Sequence, residues 1–334
     1  MDANRRIIAK LRSIYKMYGK PELVDEYVSK GGHDYRPDLR IAIFKWINQH
    51  AKNDTTTPVE DTKFAELPGM LLRVFREDAD TPKDAINAKI DETFVPRAKV
   101  ELPEKGEFAN WKKKLLTSLE QMPLRSVAEA PAAKRTAAKL VAGTLQTQEN
   151  REVVFFQMAG KGLGFVVLDE KGVTKDDLGK QQIGLLPFAL SGSWTRQSPP
   201  NYVERSQVLL GRPFDAGAVY DILASLRHFM KEIPAKELAR SGLTLEGRGK
   251  AGILAAYAAL FEPSIKEVVI IDPPRSHKEG PHFLGVLRVL DIPEALGLLA
   301  PNVKLTLINA RDPAFDRTEQ IYKLAGAADK LIRK

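Results

Sequence analysis

Cysteine is absent from the 334 residues, which excludes disulfides, thiolate nucleophiles and thiolate metal sites. That absence leaves the compartment open, because cysteine-free chains occur on both sides of a membrane. Long apolar runs are missing as well, none reaching the ~18 residues of a membrane span. The opening stretch, MDANRRIIAKLRSIYKMYGK, sets charges among its apolar positions, so neither a span nor a signal peptide is expected. An exported location would need a signal upstream of Met1. A one-sided charge is lacking too: 51 Lys and Arg stand against 43 Asp and Glu, a net +8, with the two signs interspersed. The densest basic cluster, Lys112, Lys113 and Lys114, lies in FANWKKKLLTSLEQM, where Trp111, Leu115, Leu116 and Leu119 share one face. A solvated helix face is the expectation there, with no nucleic-acid and no membrane partner.

What is present is ordinary globular composition, 43% hydrophobic and 28% charged, enough for one large or two modest domains. Residues 1–24 read as a helix, with Ile7, Leu11, Ile14, Tyr15 and Tyr18 at helical spacing and Gly19 as its cap. After Gly31-Gly32-His33-Asp34-Tyr35-Arg36-Pro37 comes a second amphipathic helix, DLRIAIFKWINQHAK, and NDTTTPVEDT (53–62) has the composition of a boundary. Residues 63–150 show little period beyond a helix at 108–122 and an extended IDETFVP at 90–96. The Ala-rich AEAPAAKRTAAK (128–139) suggests an exposed helix or linker. From 151 onward short apolar runs alternate with helices: VVFFQM, FVVL, IGLLPFAL, LTLE, EVVIID and VKLTLINA as strands, with helices at 217–232, 250–261, near 291–299 and around 316–328. That alternation predicts an α/β three-layer sandwich with a mainly parallel, doubly wound sheet, whose reactive groups lie at strand C-termini. The expected division is 1–54, a connector 55–149, and 150–334.

LTLEGRGKAGILAAYAAL carries the most chemistry, because a strand runs through a tight glycine turn into a helix. Two chemistries use that turn. In a G-x-S-x-G nucleophile elbow the serine sits on strained backbone between small residues. Here Gly247-Arg248-Gly249-Lys250-Ala251-Gly252 puts Gly249 at the nucleophile position, so no acyl-enzyme can form on it. The competing match is G-x-G-x-x-G, with Gly247, Gly249 and Gly252 cradling a dinucleotide and Asp272, closing the next strand, on its ribose. Against that match, the turn follows several strand-like runs instead of opening its domain, and Asp272-Pro273-Pro274 stiffens the loop that would admit a ribose.

Three stretches give the chain a resemblance to the α/β-hydrolases of the acetyl xylan esterase and prolyl-oligopeptidase-like group, particularly large members with a second, degenerate hydrolase half. GGHDYRPDLRIAIFKWINQH resembles the end of a hydrolase domain, where the catalytic histidine precedes the last helix. LLGRPFDAGAVYDILASLRHF, followed by the Gly247–Gly252 elbow, is similar to the core of that fold, and LINARDPAFDRTEQIYKLAG to the strand and loop of the catalytic acid. The resemblance implies His33 as general base of a first unit and Asp312 as the vestigial acid of a second. It also implies carboxylic-ester or peptide hydrolysis, with a small-molecule ester or peptide substrate only if a missing N-terminal hydrolase domain completes the first unit. Ile321-Tyr322-Lys323-Leu324-Ala325-Gly326 repeats Ile14-Tyr15-Lys16-Met17-Tyr18-Gly19. If the two helices are equivalent, Asp2 matches Asp316 and the counterpart of Asp312 falls before Met1, so the chain reads as N-terminally truncated and inactive alone. No cofactor and no metal are expected.

The remaining candidates have plain structural explanations. His33 could bond locally after its Gly-Gly turn, Asp34 points elsewhere in an extended backbone, and Asp312-Pro313 is a common turn signal. His277 and His282 with Glu279 form an unspecific metal pattern. Gly160, Gly162 and Gly164 suggest a hairpin turn. Ser191 and Ser193 lack elbow spacing.

Overall fold

Strand and helix alternate through the second part of the chain because its apolar runs are too short for helices and are separated by long amphipathic or apolar stretches. The computed structural model describes residues 2–104, 106–125, 127–138, 142–148, 151–157, 163–169, 182–187, 202–211 and 213–334. The chain divides into two units, Met1–Ala85 and Ile86–Lys334. The sequence-based division at 54 and 149 differs, because strands on both sides of residue 149 join one sheet.

In the first unit, α1 (Asp2–Met17) ends earlier than residue 24, at the turn closed by Gly19, whose φ of 67° suits glycine. A 3-10 turn (Pro21–Leu23) and an irregular stretch lead to α2 (Pro37–Ala51), which buries no residue. Beyond it, Arg40 grips Asp61 through two bonds of 2.7 Å and lies over the Phe64 ring. Asp54 accepts bonds from Thr56 and Thr57, with Thr57 foremost in pushing its carboxyl down to about 2. No residue from Asn4 to Ala85 is buried.

The second unit adds α3 (Ile90–Phe94) and α4 (Phe108–Gln121), then a sheet. IDETFVP is therefore a helical turn, with Asp91 and Glu92 in its first turn, and not an extended strand. Lys113 and Lys114 on α4 are exposed, as a solvated face requires, but Lys112 is half-buried: its ammonium donates to the Ala300 carbonyl at 2.7 Å, and burial pushes its pKa down. The sheet runs β1 (Lys134–Ala138), β2 (Ala142–Gln148), β3 (Arg151–Gln157), β4 (Gly164–Val167), β5 (Gln182–Leu186), β6 (Leu243–Arg248), β7 (Ile265–Ile271), β8 (Lys304–Ile308) and β9 (Leu331–Arg333). Its spatial order is β1-β2-β3-β5-β4-β6-β7-β8-β9. The first three pairings are antiparallel and the rest parallel.

The Ala-rich stretch thus becomes β1, held by its ladder to β2 despite weak intrinsic preference. β5 separates β3 from β4, so the strands on either side of these glycines are not hairpin partners. Gly164 starts β4, while Gly160, Gly162, Ser191 and Ser193 lie outside the described residues.

Helices α5 (Tyr202–Leu209), α6 (Phe214–Met230), α7 (Ala235–Ser241), α8 (Lys250–Phe261), α9 (Ile292–Gly297) and α10 (Asp316–Leu324) complete the unit. The most enclosed is α8, apolar nearly all round and buried from Ala251 to Ala259, packed on β6, β7 and α6. An α/β fold with a mostly parallel sheet flanked by helices follows.

The repeated hexamers end α1 and α10 in the same cap. Gly19 bonds the Lys16 carbonyl and Lys20 that of Tyr15, at 3.0 and 2.9 Å, while Gly326 bonds Lys323 and Ala327 bonds Tyr322 at 3.0 and 2.9 Å. With the hexamers in register, Ala9 and not Asp2 falls opposite Asp316. Arg5 falls opposite Asp312, and lies inside its helix where Asp312 does not, because α1 has 16 residues and α10 only 9.

Candidate functional site

β6, β7 and β8 are parallel neighbours, so the loops that follow them open on one edge of the sheet. Three elbow glycines meet different demands there. A Cβ on Gly247 would lie 2.6 Å from the Gly252 nitrogen, and one on Gly252 would lie 2.6 Å from the Gly247 carbonyl oxygen and strike Ile270. Strand and helix cross too closely at these two positions for any side chain. Gly249 differs: a Cβ would reach only the Asp272 carbonyl, at 4.0 Å, but φ 55° and ψ −128° place it where side-chain-bearing residues are strained. A strained, uncrowded residue between strand and helix is the geometry of a nucleophile elbow. The residue present has no nucleophile. Its amide donates to the Ile271 carbonyl at 2.7 Å.

Side chains from the three loops bind one another across this edge. Asp272, at φ 52° after β7, accepts from Arg248 of the elbow and from the Asn309 amide at 2.8 Å. The position expected of a ribose-binding acid is therefore occupied by protein partners. Asp312 follows β8, at the loop the sequence assigned to a catalytic acid. Its carboxylate accepts the Ala314 amide at 2.8 Å, the main cause of its lowered pKa, and an Arg275 guanidinium at 3.3 Å. Arg275 also holds Glu279 at 2.8 Å. Arg333 of β9 donates to the Asp312 carbonyl at 2.8 Å and to Asp316 at 2.6 Å, fixing the loop from below. Asp312 thus faces a guanidinium where a catalytic acid would face an imidazole.

His277 sits after β7, buried, with both ring nitrogens engaged: Nδ1 at 2.8 Å from the Pro281 carbonyl and Nε2 at 2.8 Å from the Tyr257 hydroxyl. The carbonyl can only accept, so Nδ1 carries the proton and Tyr257 donates to Nε2. Burial pushes the ring's pKa down, which favours the neutral form. Asp291 accepts the His277 amide and the Ser276 hydroxyl at 2.8 and 2.7 Å and also caps α9. His277 therefore serves as a loop anchor and not as a ligand. The His277–Glu279–His282 metal pattern has no counterpart, since no group of three or more His, Asp or Glu suited to a metal occurs among the described residues.

His33 and Asp34 are exposed in the first unit, in the loop before α2. Gly249, Asp272 and Asp312 belong to the second. Sequence reasoning missed Arg275 and Asn309, and no local signal could have found them, because their partners lie 37 residues away in the chain.

No family model matches the sequence, and no curated protein does. Solved structures do resemble it. A methylesterase covers 70% of this chain and 60% of its own, at 13% identity and a TM-score of 0.50. A candidate acetyl xylan esterase of Bacteroides fragilis covers 71% and 77%, at 13% identity and 0.49. A glucuronoyl esterase of Sporotrichum thermophile covers 69% and 77%, at 13% identity and 0.45. At such identities the likeness to the methylesterase concerns the fold alone: the chain has an α/β fold of the α/β-hydrolase type.

Proposed function

We propose that the second unit is a degenerate serine-hydrolase unit, of the class that cleaves carboxylic esters or peptides, and that it is non-catalytic alone. In this reading residues 1–54 are the tail of another hydrolase unit, with His33 as its general base. The observation that carries the proposal is Gly249, held in the backbone geometry of a nucleophile elbow without a hydroxyl or thiol. Without a nucleophile the covalent route is closed, leaving at most the ~10³–10⁴-fold that binding and oxyanion donors can supply. Arg275 on Asp312 fits the same reading, since a carboxylate no longer orienting an imidazole is free to pair with a cation.

A dinucleotide at Gly247, Gly249 and Gly252 is less well supported. Close strand–helix crossing already accounts for two of those glycines, and Arg248 and Asn309 occupy Asp272. The deciding experiment incubates the full chain with a fluorophosphonate probe and with p-nitrophenyl acetate. No covalent adduct and no burst are expected. A stoichiometric adduct would overturn the proposal, and micromolar binding of NAD, NADP or FAD by calorimetry, lost in Gly249→Val, would favour the nucleotide reading.

A further inference from the structure

Residues 273–282, between β7 and the 3-10 turn Val286–Arg288, reach across the open edge of the sheet to several other elements. Arg275 pairs with Asp312 of the β8 loop at 3.3 Å, Lys278 pairs with Glu92 of α3, and the His282 amide donates to Asp215 of α6. Gly280 lies against Lys250, the residue that follows Gly249: a Cβ there would stand 2.5 Å from the Lys250 Cε. The two ion pairs are exposed, and such pairs contribute little to holding a segment in place.

The buried polar tie of the segment is His277, only 3% exposed. Its Nδ1–H stays within the loop, on the Pro281 carbonyl, while its Nε2 accepts from Tyr257 of α8 and so links the segment to the helix that starts at the elbow. On either side the chain is fixed independently. Asp272 is held by Arg248 and Asn309, and Phe283 is buried against the Tyr257 ring, 4.7 Å between centroids. Between those fixed ends Gly280, at φ 90°, supplies a residue that tolerates backbone change.

We infer that residues 273–282 are an acid-opened strap across the elbow edge, closed while His277 is neutral and released when its ring takes up a proton. On release Arg275 leaves Asp312 and Gly280 leaves Lys250, so that a carboxylate and an ammonium beside the elbow become free. The strap does not depend on whether the elbow ever carried a nucleophile.

The surroundings of the ring set the direction. Tyr257 can donate to Nε2 only while that nitrogen keeps its lone pair. A proton there faces a hydroxyl that must turn round, and leaves a cation against the Phe283 and Tyr257 rings. From α9, Asp291 is the carboxylate that favours the charged ring, but it already accepts from the His277 and Ile292 amides and the Ser276 hydroxyl. Glu294, one turn on, bonds the Asp291 amide and acts on Tyr257, and His282 of the same loop opposes the charge. Burial outweighs the help from Pro281 and Asp291, so the closed ring resists the proton that the same ring, swung into water, binds near pH ~6.5. By linkage, opening is favoured progressively as pH falls below that value.

Hydrogen exchange of the full chain at about pH 7.5 and about pH 5, corrected for the intrinsic rates, tests the strap. Opening of the amides from Arg275 to His282 should rise by at least about threefold, under a ceiling of about thirtyfold set by the ordinary histidine pKa, and by more than that of the β6–β8 amides. His277→Gln should lose the extra opening, and Tyr257→Phe, which keeps the ring but removes the donor to Nε2, should open at a higher pH than the unaltered chain. Should His277→Gln fail to fold, the unaltered chain decides: the His277 ring resonances should titrate below the ordinary histidine range, over the interval in which the strap amides speed up. A rise no larger than that of the β6–β8 amides, a rise retained in His277→Gln, or titration of His277 with the strap amides unchanged would each overturn the inference. None of these outcomes bears on covalent labelling at Gly249, so the strap and the proposed function fail separately.

Discussion

Gly247, Gly249 and Gly252 share a residue type for different reasons, and alanine separates them. At Gly249 the new methyl has room, so Gly249→Ala should cost only the backbone strain of a positive φ, about 1–3 kcal/mol. At Gly252 the methyl meets both the Gly247 carbonyl and Ile270, so Gly252→Ala should cost more. Urea denaturation of both variants checks the ranking, and equal costs would mean that the elbow is not crossed as closely as the structure shows. His277 sets a pH dependence. Burial holds its folded pKa below the ordinary value, against opposition from the Pro281 carbonyl and Asp291 and with help from nearby His282. The unfolded chain therefore binds a proton first, near pH ~6.5. Its contribution to stability should be complete above that pH and lost as pH falls toward the folded pKa. Urea midpoints measured from pH 8 downward should show this fall, and it should flatten in His277→Gln, where an amide can keep part of the hydrogen bonding.

One side chain, Arg227, reaches across the fold to tie two elements together. Arg227 of α6 bonds the Glu262 carboxylate at 3.0 Å and the Ala128 carbonyl at 3.0 Å, and also reaches the carbonyls of Ala130 and Phe261. It ties the segment leading into β1 to the end of α8. Arg227→Ala leaves buried Glu262 without its cation and several carbonyls without donors, which should cost about 3 kcal/mol, with Glu262→Gln costing less. Guanidinium titration of the two variants measures both. The repeated helices give a matched pair: Ile321→Ala should cost about 2–5 kcal/mol, as for a fully buried aliphatic, while Ile14→Ala at the same place in the motif should cost under about 1 kcal/mol. Similar losses at both would show that α1 is buried as α10 is.

Among the described residues, burial is confined to the second unit, whose core gathers residues from α4, α6, α8 and the central strands. The first unit contributes no buried residue between Asn4 and Ala85. Isolated helices without a core are marginal in water. Denaturant should therefore produce one cooperative transition, belonging to residues 86–334, while amides of α1 and α2 exchange rapidly under native conditions. Slow exchange across both helices, or a second cooperative transition, would contradict this. No helix among the described residues is long and apolar enough to cross a membrane.

The sequence by itself determined the parallel half of the sheet, because β6, α8, β7 and β8 carry apolar runs and turn glycines that specify local structure without help from distant residues. It also placed Gly249 at the turn, since a strand, a glycine turn and a helix are a local pattern, and it paired the two hexamers. Only the tertiary structure decided β1: Lys134–Ala138 has Thr136 as its one strand-favouring residue and is a strand because β2 supplies its ladder. Only tertiary structure, likewise, could show that Asp312 pairs with Arg275, that Asp272 is held by Arg248 and Asn309, and that His277 is sealed against Tyr257. These are contacts between loops far apart in the chain, and a residue's local sequence holds no record of the partner that folding brings to it.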